Sequence, residues 1–326
     1  GSGIPRIDFS DDANGALLLE PSRSNAIQYS EDFTQWTSIN VTVNSNVANS
    51  PNGTLTADRI TFDGTTNARV ETTAQGINSF EGTKVRPNSV WLKTESGTTT
   101  VQIGSSSSFL LTVTVTQEWQ RFTLNSRQGF ARIRSDNATS VLAWGYQFET
   151  NGDVSLSYAT SYIPTLTGTT QTRVADTASD SGNSTVINST EGVLYAEMSA
   201  LANNSESRII QINNSSDTST FALIKYGAPT NRVECQYRTS GYSLQASLFK
   251  DLTDSTESIK IAFKWQLNNF ALYINGVKIS EDLNGNVSPS NTFNNLLFDN
   301  FYGKVKSLQV YTTALSDAEL TTLTTI

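Results

Sequence analysis

The chain has 326 residues, 37% hydrophobic and only 16% charged, with a formal net charge of −8. That length holds two domains of ordinary size, and the acidic balance would repel a phosphate backbone, which argues against nucleic acid as a partner. Histidine is absent and cysteine occurs once, as Cys235, so Ser-His-Asp and Cys-His catalysis, the usual zinc sites and any intrachain disulfide are excluded.

In chain order, residues 1–13 read as a tether, opening on Gly1-Ser2 without a methionine, as a processed product or a piece of a longer protein would. Short runs rich in Val, Ile, Thr, Phe and Tyr follow, among them "VTVNSNV", "ARVETTA", "SVWLK", "TTVQIG", "FARIR" and "VLAWGYQF". Asn-Gly pairs at 14, 52, 151, 275 and 284 punctuate them, the dipeptide that supplies the positive φ of tight turns. Near the middle lies a seam, "SYATSYIPTLTGTT", in which Pro164 fixes its own φ and pushes Ile163 toward extended geometry. The polar stretch after it is too poor in apolar residues to bury a core. Strands resume with "GVLYAEM", "RIIQI", "FALIKY", "RVECQY" and "IKIAFKW". "NNFALYINGVKISED" is a hairpin that puts Phe270, Leu272 and Ile274 on one face. Only "LSDAELTTL" reads as helix, capped by Ser316 with Glu319 at the capping-box position.

The predicted fold is all-β: two tandem antiparallel β-sandwiches (jelly rolls) joined by a polar linker, with a short C-terminal helix. The expected division is a tether over 1–13, a first sandwich over 14–165, a linker over 166–187 and a second sandwich over 188–326. No run approaches 18 apolar residues, so no membrane insertion by a spanning helix is expected, and no signal-peptide pattern is present.

The ordered set "GIPRIDF", "ALLLEPSRSNAIQYSEDFTQW", "SPNGTLTADRITF", "VTQEWQRFTL", "AWGYQFETNGDVSLSYATSYIPT" and "TRVAD" resembles a module of bacteriophage tail and virion proteins. That module is a jelly roll similar to carbohydrate-binding modules. The second half, through "GVLYAEM", "KIAFKW…NNFALYINGVKI" and "FYGKVKSLQVYTTALSDAELTTL", resembles the laminin-G or concanavalin-like lectin superfamily. The resemblance implies a virion setting, extracellular when acting, and a binding module without catalysis. It implies glycans and other virion proteins as partners. A homo-oligomer stays open, since fibre proteins are often trimers but no heptad repeat is present.

Sugar-binding jelly rolls use an aromatic ring on a sheet face, flanked by polar side chains that reach the hydroxyls. Four tryptophans, Trp36, Trp119, Trp144 and Trp265, lie in signature or core-strand positions. Trp91 alternates with Val90 and Leu92, so it faces away from the core beside Lys93; Trp91 and Lys93, with Arg69 and Gln102 on neighbouring strands, form the candidate ligand site. Jelly rolls of this kind also hold a structural Ca²⁺ near their first and last strands, for which Glu31, Asp32 and Glu149 are the candidates. An oxygen-rich loop, Asn213, Asn214 and Asp217, is a second place to look, against a plain solvated turn.

Three functions compete. The first is a virion adhesin, in a tail fibre, tail-associated or head-fibre protein, binding host-surface or environmental glycans. The second is a structural decoration of capsid or tail without a sugar ligand, and the third an enzyme, a glycan depolymerase, with the binding modules of a secreted carbohydrate-active enzyme as a related alternative. A glycan depolymerase needs two carboxyl groups roughly 5–10 Å apart, and no strand offers an alternating acidic pair for that role.

Overall fold

A computed structural model describes residues 5–74, 84–106, 109–127, 130–152 and 154–326. Every strand pairing within them is antiparallel, the sheets are four, and one helix, Asp317–Thr324, lies near the C-terminus. None of the described helices is long and apolar enough to cross a membrane.

The chain divides into two units, one of residues 22–174 and the other of residues up to 21 together with 175–326. In the first, a seven-stranded sheet runs Gln120–Ser126, Arg86–Lys93, Ala138–Thr150, Arg23–Asn25, Gln171–Arg173, with Leu55–Asp63 and Val41–Asn49 branching from Ala138–Thr150. A five-stranded sheet, Phe109–Val115, Thr99–Ser106, Phe130–Ser135, Ala68–Thr73, Thr37–Ile39, packs against it. Period-two alternation builds the core between them: Val90 and Leu92 from one sheet meet Val70, Val101, Ile103 and Ile133 from the other. Val141–Glu149 is buried on both faces, because one side joins this core and the other lies under the seam.

The second unit pairs a seven-stranded sheet with a six-stranded one. The first runs Ile7–Asp8, Ala16–Leu19, Gly303–Tyr311, Glu191–Ala200, Ile259–Gln266, Phe270–Ile274, Val277–Asp282. The second runs Ala178–Ser181, Asn295–Asp299, Arg208–Asn214, Asp217–Gly227, Arg232–Thr239, Ser243–Asp251. Phe270, Leu272 and Ile274 sit in its core as the hairpin pattern predicts, and Asn275 and Gly276 both take positive φ, 50° and 79°, the geometry of a tight two-residue turn. The helix carries the predicted capping box: the Ser316 hydroxyl accepts from Glu319 N, and the Glu319 carboxylate accepts from Ser316 N at 2.8 Å.

Two boundaries differ from the expectation. Residues 5–21 are neither a tether nor the start of the first sandwich. Leu17, Leu18 and Leu19 pair with Val305, Lys304 and Gly303, and Leu19 enters the second core. The stretch 166–187 is not free linker either. Gln171–Arg173 pairs with Arg23–Asn25 in the first unit, and Ala178–Ser181 pairs with Asn295–Asp299 in the second. The second correction has a plain cause, that a strand of three or four residues at a sheet edge needs backbone partners more than apolar side chains, whereas Ala16–Leu19 is itself an apolar run held between Ile7–Asp8 and Gly303–Tyr311. The first sandwich is thus inserted between two strands of the second, entering and leaving through neighbouring antiparallel strands.

Candidate functional site

The outer face of the five-stranded sheet carries the polar side chains that alternate with its core residues. Registers place Arg69 opposite Arg134, Arg134 opposite Gln102, and Gln102 opposite Thr112, so the four form one row on one face. The adjoining row is Glu71, Arg132 and Gly104. Glu71 Oε2 joins the rows, 3.0 Å from Arg69 Nε and 2.6 Å from an Arg132 Nη2. Partial burial works to raise the Glu71 pKa, but its hydrogen bonds and charge contacts with the two arginines outweigh that and hold it below the usual carboxylate range. Arg134 donates to both oxygens of Asp136 at 2.9 Å, and Asp136 also accepts from Asn67 N. Gln102 Nε2 reaches Thr112 Oγ1 at 3.4 Å. Beside this row lies a recess of about 150 Å³ edged by Thr100, Gln102, Thr112, Arg134 and Asp136.

The structure therefore brings Arg69 and Gln102 together, with Arg134 between them, and leaves Trp91 and Lys93 elsewhere. Both of these lie on the outer face of the other sheet, half-buried, with Val90 and Leu92 inward as the alternation predicts. Trp91 stands opposite Trp144 on one side and Arg121 on the other. The seam crosses the same face. Thr160, Ile163 and Thr165 are buried, Ile163 N donates to Gln147 Oε1 at 2.6 Å, and Thr165 N donates to Ser30 Oγ at 2.9 Å. Tyr162 packs on Trp144 with centroids 4.6 Å apart. A Cβ on Gly145, whose φ is +64°, would lie 3.3 Å from the Tyr162 ring and 3.5 Å from Trp91, so glycine lets the seam approach here.

The three carboxylates proposed for Ca²⁺ are held separately. Glu149 is fully buried and accepts from Gln147 Nε2 and Thr160 N at 2.7 Å and from Thr160 Oγ1 at 2.9 Å, with Arg23 Nε 3.7 Å away. Burial raises its pKa, and those donors work against the rise. Glu31 accepts from Tyr162 Oη at 3.1 Å and is likewise raised by burial. Asp32 caps the short 3₁₀ turn Phe33–Gln35 through Thr34 N. No group of three or more acidic or cysteine side chains stands close enough to hold a metal among the described residues. The loop at Asn213, Asn214 and Asp217 spends its oxygens locally: Asp217 accepts from Ser219 and Thr220, Asn214 from Ser216 N, and Asn213 from Asn295.

Other residues follow their structural readings. Trp36, Trp119 and Trp265 each donate the indole N–H to a backbone carbonyl, of Tyr29, Asn49 and Asn188. Cys235 is a buried core residue whose thiol burial pushes well above its ordinary pKa, with Glu234 adding to the effect. On the outer face of the six-stranded sheet, Lys225 pairs with Glu234 at 2.9 Å, and Glu234 accepts from Ser247 at 2.8 Å. Arg132, Arg134 and Glu71 were missing from the sequence-based site. Their signal was present, since in "FARIR" both arginines alternate with Ala131 and Ile133, but strand register is needed to set them beside Arg69 and Gln102.

No family model and no curated relative matches the chain. Among solved structures it is similar to the CBM40 of Ruminococcus gnavus IT-sialidase bound to α2,3-sialyllactose, at 17% identity over 46% of this chain and 94% of that one, TM-score 0.36. It is similar to the SAP-like pentraxin of Limulus polyphemus at 11% identity, over 44% and 73% of the two chains, TM-score 0.35. Galectin-Ib of Xenopus laevis matches at 13% identity over 41% and 99%, TM-score 0.30. Likenesses at this level carry nothing about ligand.

Proposed function

We propose that the chain is a non-enzymatic glycan-binding module of a bacteriophage virion adhesin, in a tail or head fibre, and that the outer face of the five-stranded sheet is its binding face. The observation that carries this reading is the row Arg69, Arg134, Gln102, Thr112, a set of half-buried to exposed donors and acceptors aligned on the outer face of the sheet beside a recess. Such a row suits a ligand that is itself a string of hydroxyls and ring oxygens. The virion setting rests on the motif set of the first half. Single sites of this kind bind at about 0.1–1 mM, and many copies on a particle supply avidity.

Adsorption of the labelled chain to candidate host cells and their purified surface polysaccharides tests it, with Gln102→Ala and Trp91→Ala side by side. Saturable adsorption that Gln102→Ala weakens about fivefold or more, about 1 kcal/mol for one lost hydrogen bond, and that Trp91→Ala leaves intact, is the expected result. Loss in Trp91→Ala alone, with the fold retained, would move the site to the opposite face. A chain that adsorbs to no polysaccharide favours the decoration reading, which the pairing of Arg69, Arg132 and Arg134 with Glu71 and Asp136 also suits.

A further inference from the structure

We infer that the binding face selects sugars bearing a carboxylate, the guanidinium groups of Arg134 and Arg69 taking the acid while Gln102 and Thr112 take neighbouring hydroxyls. The inference rests on the glycan reading above and names its ligand class.

Three observations carry it. First, Arg69 and Arg134 are direct cross-strand partners on one face. Like charges directly opposite one another weaken a sheet, and a sequence departs from such a local rule mainly at functional sites. Second, the face runs against the charge of the chain. Arg69, Arg132 and Arg134 outnumber Glu71 and Asp136 there by three to two, whereas the whole chain carries −8. Third, the acids hold the arginines in place without consuming them. Each guanidinium has five N–H donors in a planar fork. Arg134 uses Nε and one Nη on Asp136, and Arg69 sets Nε 3.0 Å from Glu71 Oε2 and donates one Nη to the Asn67 carbonyl. The far Nη of each makes no hydrogen bond among the described residues and stays available to a second carboxylate.

The space suits this ligand. Gly104 follows Arg132 in its row, so no side chain stands there, and the recess beside Arg134 is bordered by the hydroxyl and amide groups of Thr100, Gln102 and Thr112 together with Val101 and the Asp136 carboxylate. A carboxylate entering beside Arg134 would meet a planar partner of matching geometry, which a neutral hydroxyl does not reproduce.

The test is binding of the full chain to polygalacturonate and to alginate, each compared with its carboxyl-reduced polymer, which keeps the backbone and hydroxyls but loses the acid. The expected result is at least about tenfold tighter binding of an acidic polymer, weakening as salt rises and falling about tenfold in Arg134→Gln. Because that substitution relieves a like-charge pair, its melting temperature is expected to stay within a few degrees of the parent. If it fails to fold, Arg69→Gln carries the same test. Equal binding of acidic and reduced polymers, or of dextran sulfate as strongly as polyuronate, overturns the carboxylate inference and leaves the glycan reading standing. Binding only to neutral polysaccharides does the same, and binding to neither class removes both.

Discussion

Asp58 is fully buried in the first sandwich, where its carboxylate accepts from Phe33 N at 2.8 Å and from Asn46 N at 2.9 Å. Burial outweighs those donors and lifts its pKa from 3.8 to about 6, the charge of Asp32 adding to the rise. A carboxyl whose pKa is higher folded than unfolded binds its proton more tightly in the native state. Its contribution to stability is therefore full below about pH 4 and is lost as pH climbs toward 6. The stability of the parent minus that of Asp58→Asn is expected to fall by about 2–3 kcal/mol across that window. Chemical denaturation of both proteins at several pH values checks it, and a difference that stays flat would contradict the buried ionisable group. None of this shows in "NGTLTADRITF", where Asp58 reads as one more polar residue of a strand. Its burial depends on the backbone N–H groups of Phe33 and Asn46, which arrive from distant positions.

Among the elements, the strand Glu191–Ala200 shows what alternation reveals and what it hides. Leu194, Ala196 and Met198 face the main core, while Val193 and Tyr195 face the patch covered by Leu320 of the C-terminal helix. Hydrophobic residues on both faces make the run nearly continuous, and that marks it in sequence as a central strand. Gly192 hides in the same run. A Cβ there would lie 2.5 Å from Trp265 Cζ2 and 2.6 Å from the Tyr311 carbonyl oxygen, a backbone atom that cannot step aside. Gly192→Ala is expected to destabilise the second sandwich by about 1–3 kcal/mol through overpacking, measurable as a shift of the urea midpoint with an unchanged slope. The hairpin at Asn275-Gly276, the capping box at Ser316 and the inward set Phe270, Leu272 and Ile274 were all legible, because each is written within about ten residues. The row Arg69, Arg134, Gln102 was only half legible. Alternation puts each residue on the outer face, but which strands are neighbours, and in which register, is a property of the assembled sheet. Trp91 was read correctly as outward-facing, and what alternation could not show is that the seam returns across the same face.

At the scale of the whole chain, the insertion of one sandwich into the other makes a prediction about independence. The first unit closes on itself: Arg23 and Arg173, near its two ends, are antiparallel partners, and Glu149 and Thr150 on its longest strand pair with Asn25 and Ser24. The second unit is discontinuous in sequence. Its sheet edge at Gly303–Tyr311 is continued by Ala16–Leu19 and Ile7–Asp8, Leu19 fills part of its core, and Arg6 pairs with Glu20 at 2.7 Å and also with Asp176. Residues 22–174 made alone are therefore expected to fold cooperatively. Residues 175–326 made alone uncover Gly303, Lys304 and Val305, which extends the open edge along the whole of strand Gly303–Tyr311 among the described residues, and leave a hole where Leu19 sat. An exposed edge of that length is a template for association with other chains, and loss of a buried leucine costs about 2–5 kcal/mol. The second fragment should thus be the less stable and more prone to aggregate, and a peptide of residues 5–21 supplied in excess should restore its melting temperature toward that of the full chain. Equal stability of the 175–326 fragment with and without the peptide would mean that the N-terminal strands decorate the sheet rather than complete it. The tandem reading of the sequence has no place for this dependence, because the strands concerned lie more than 150 residues from the sheet they finish.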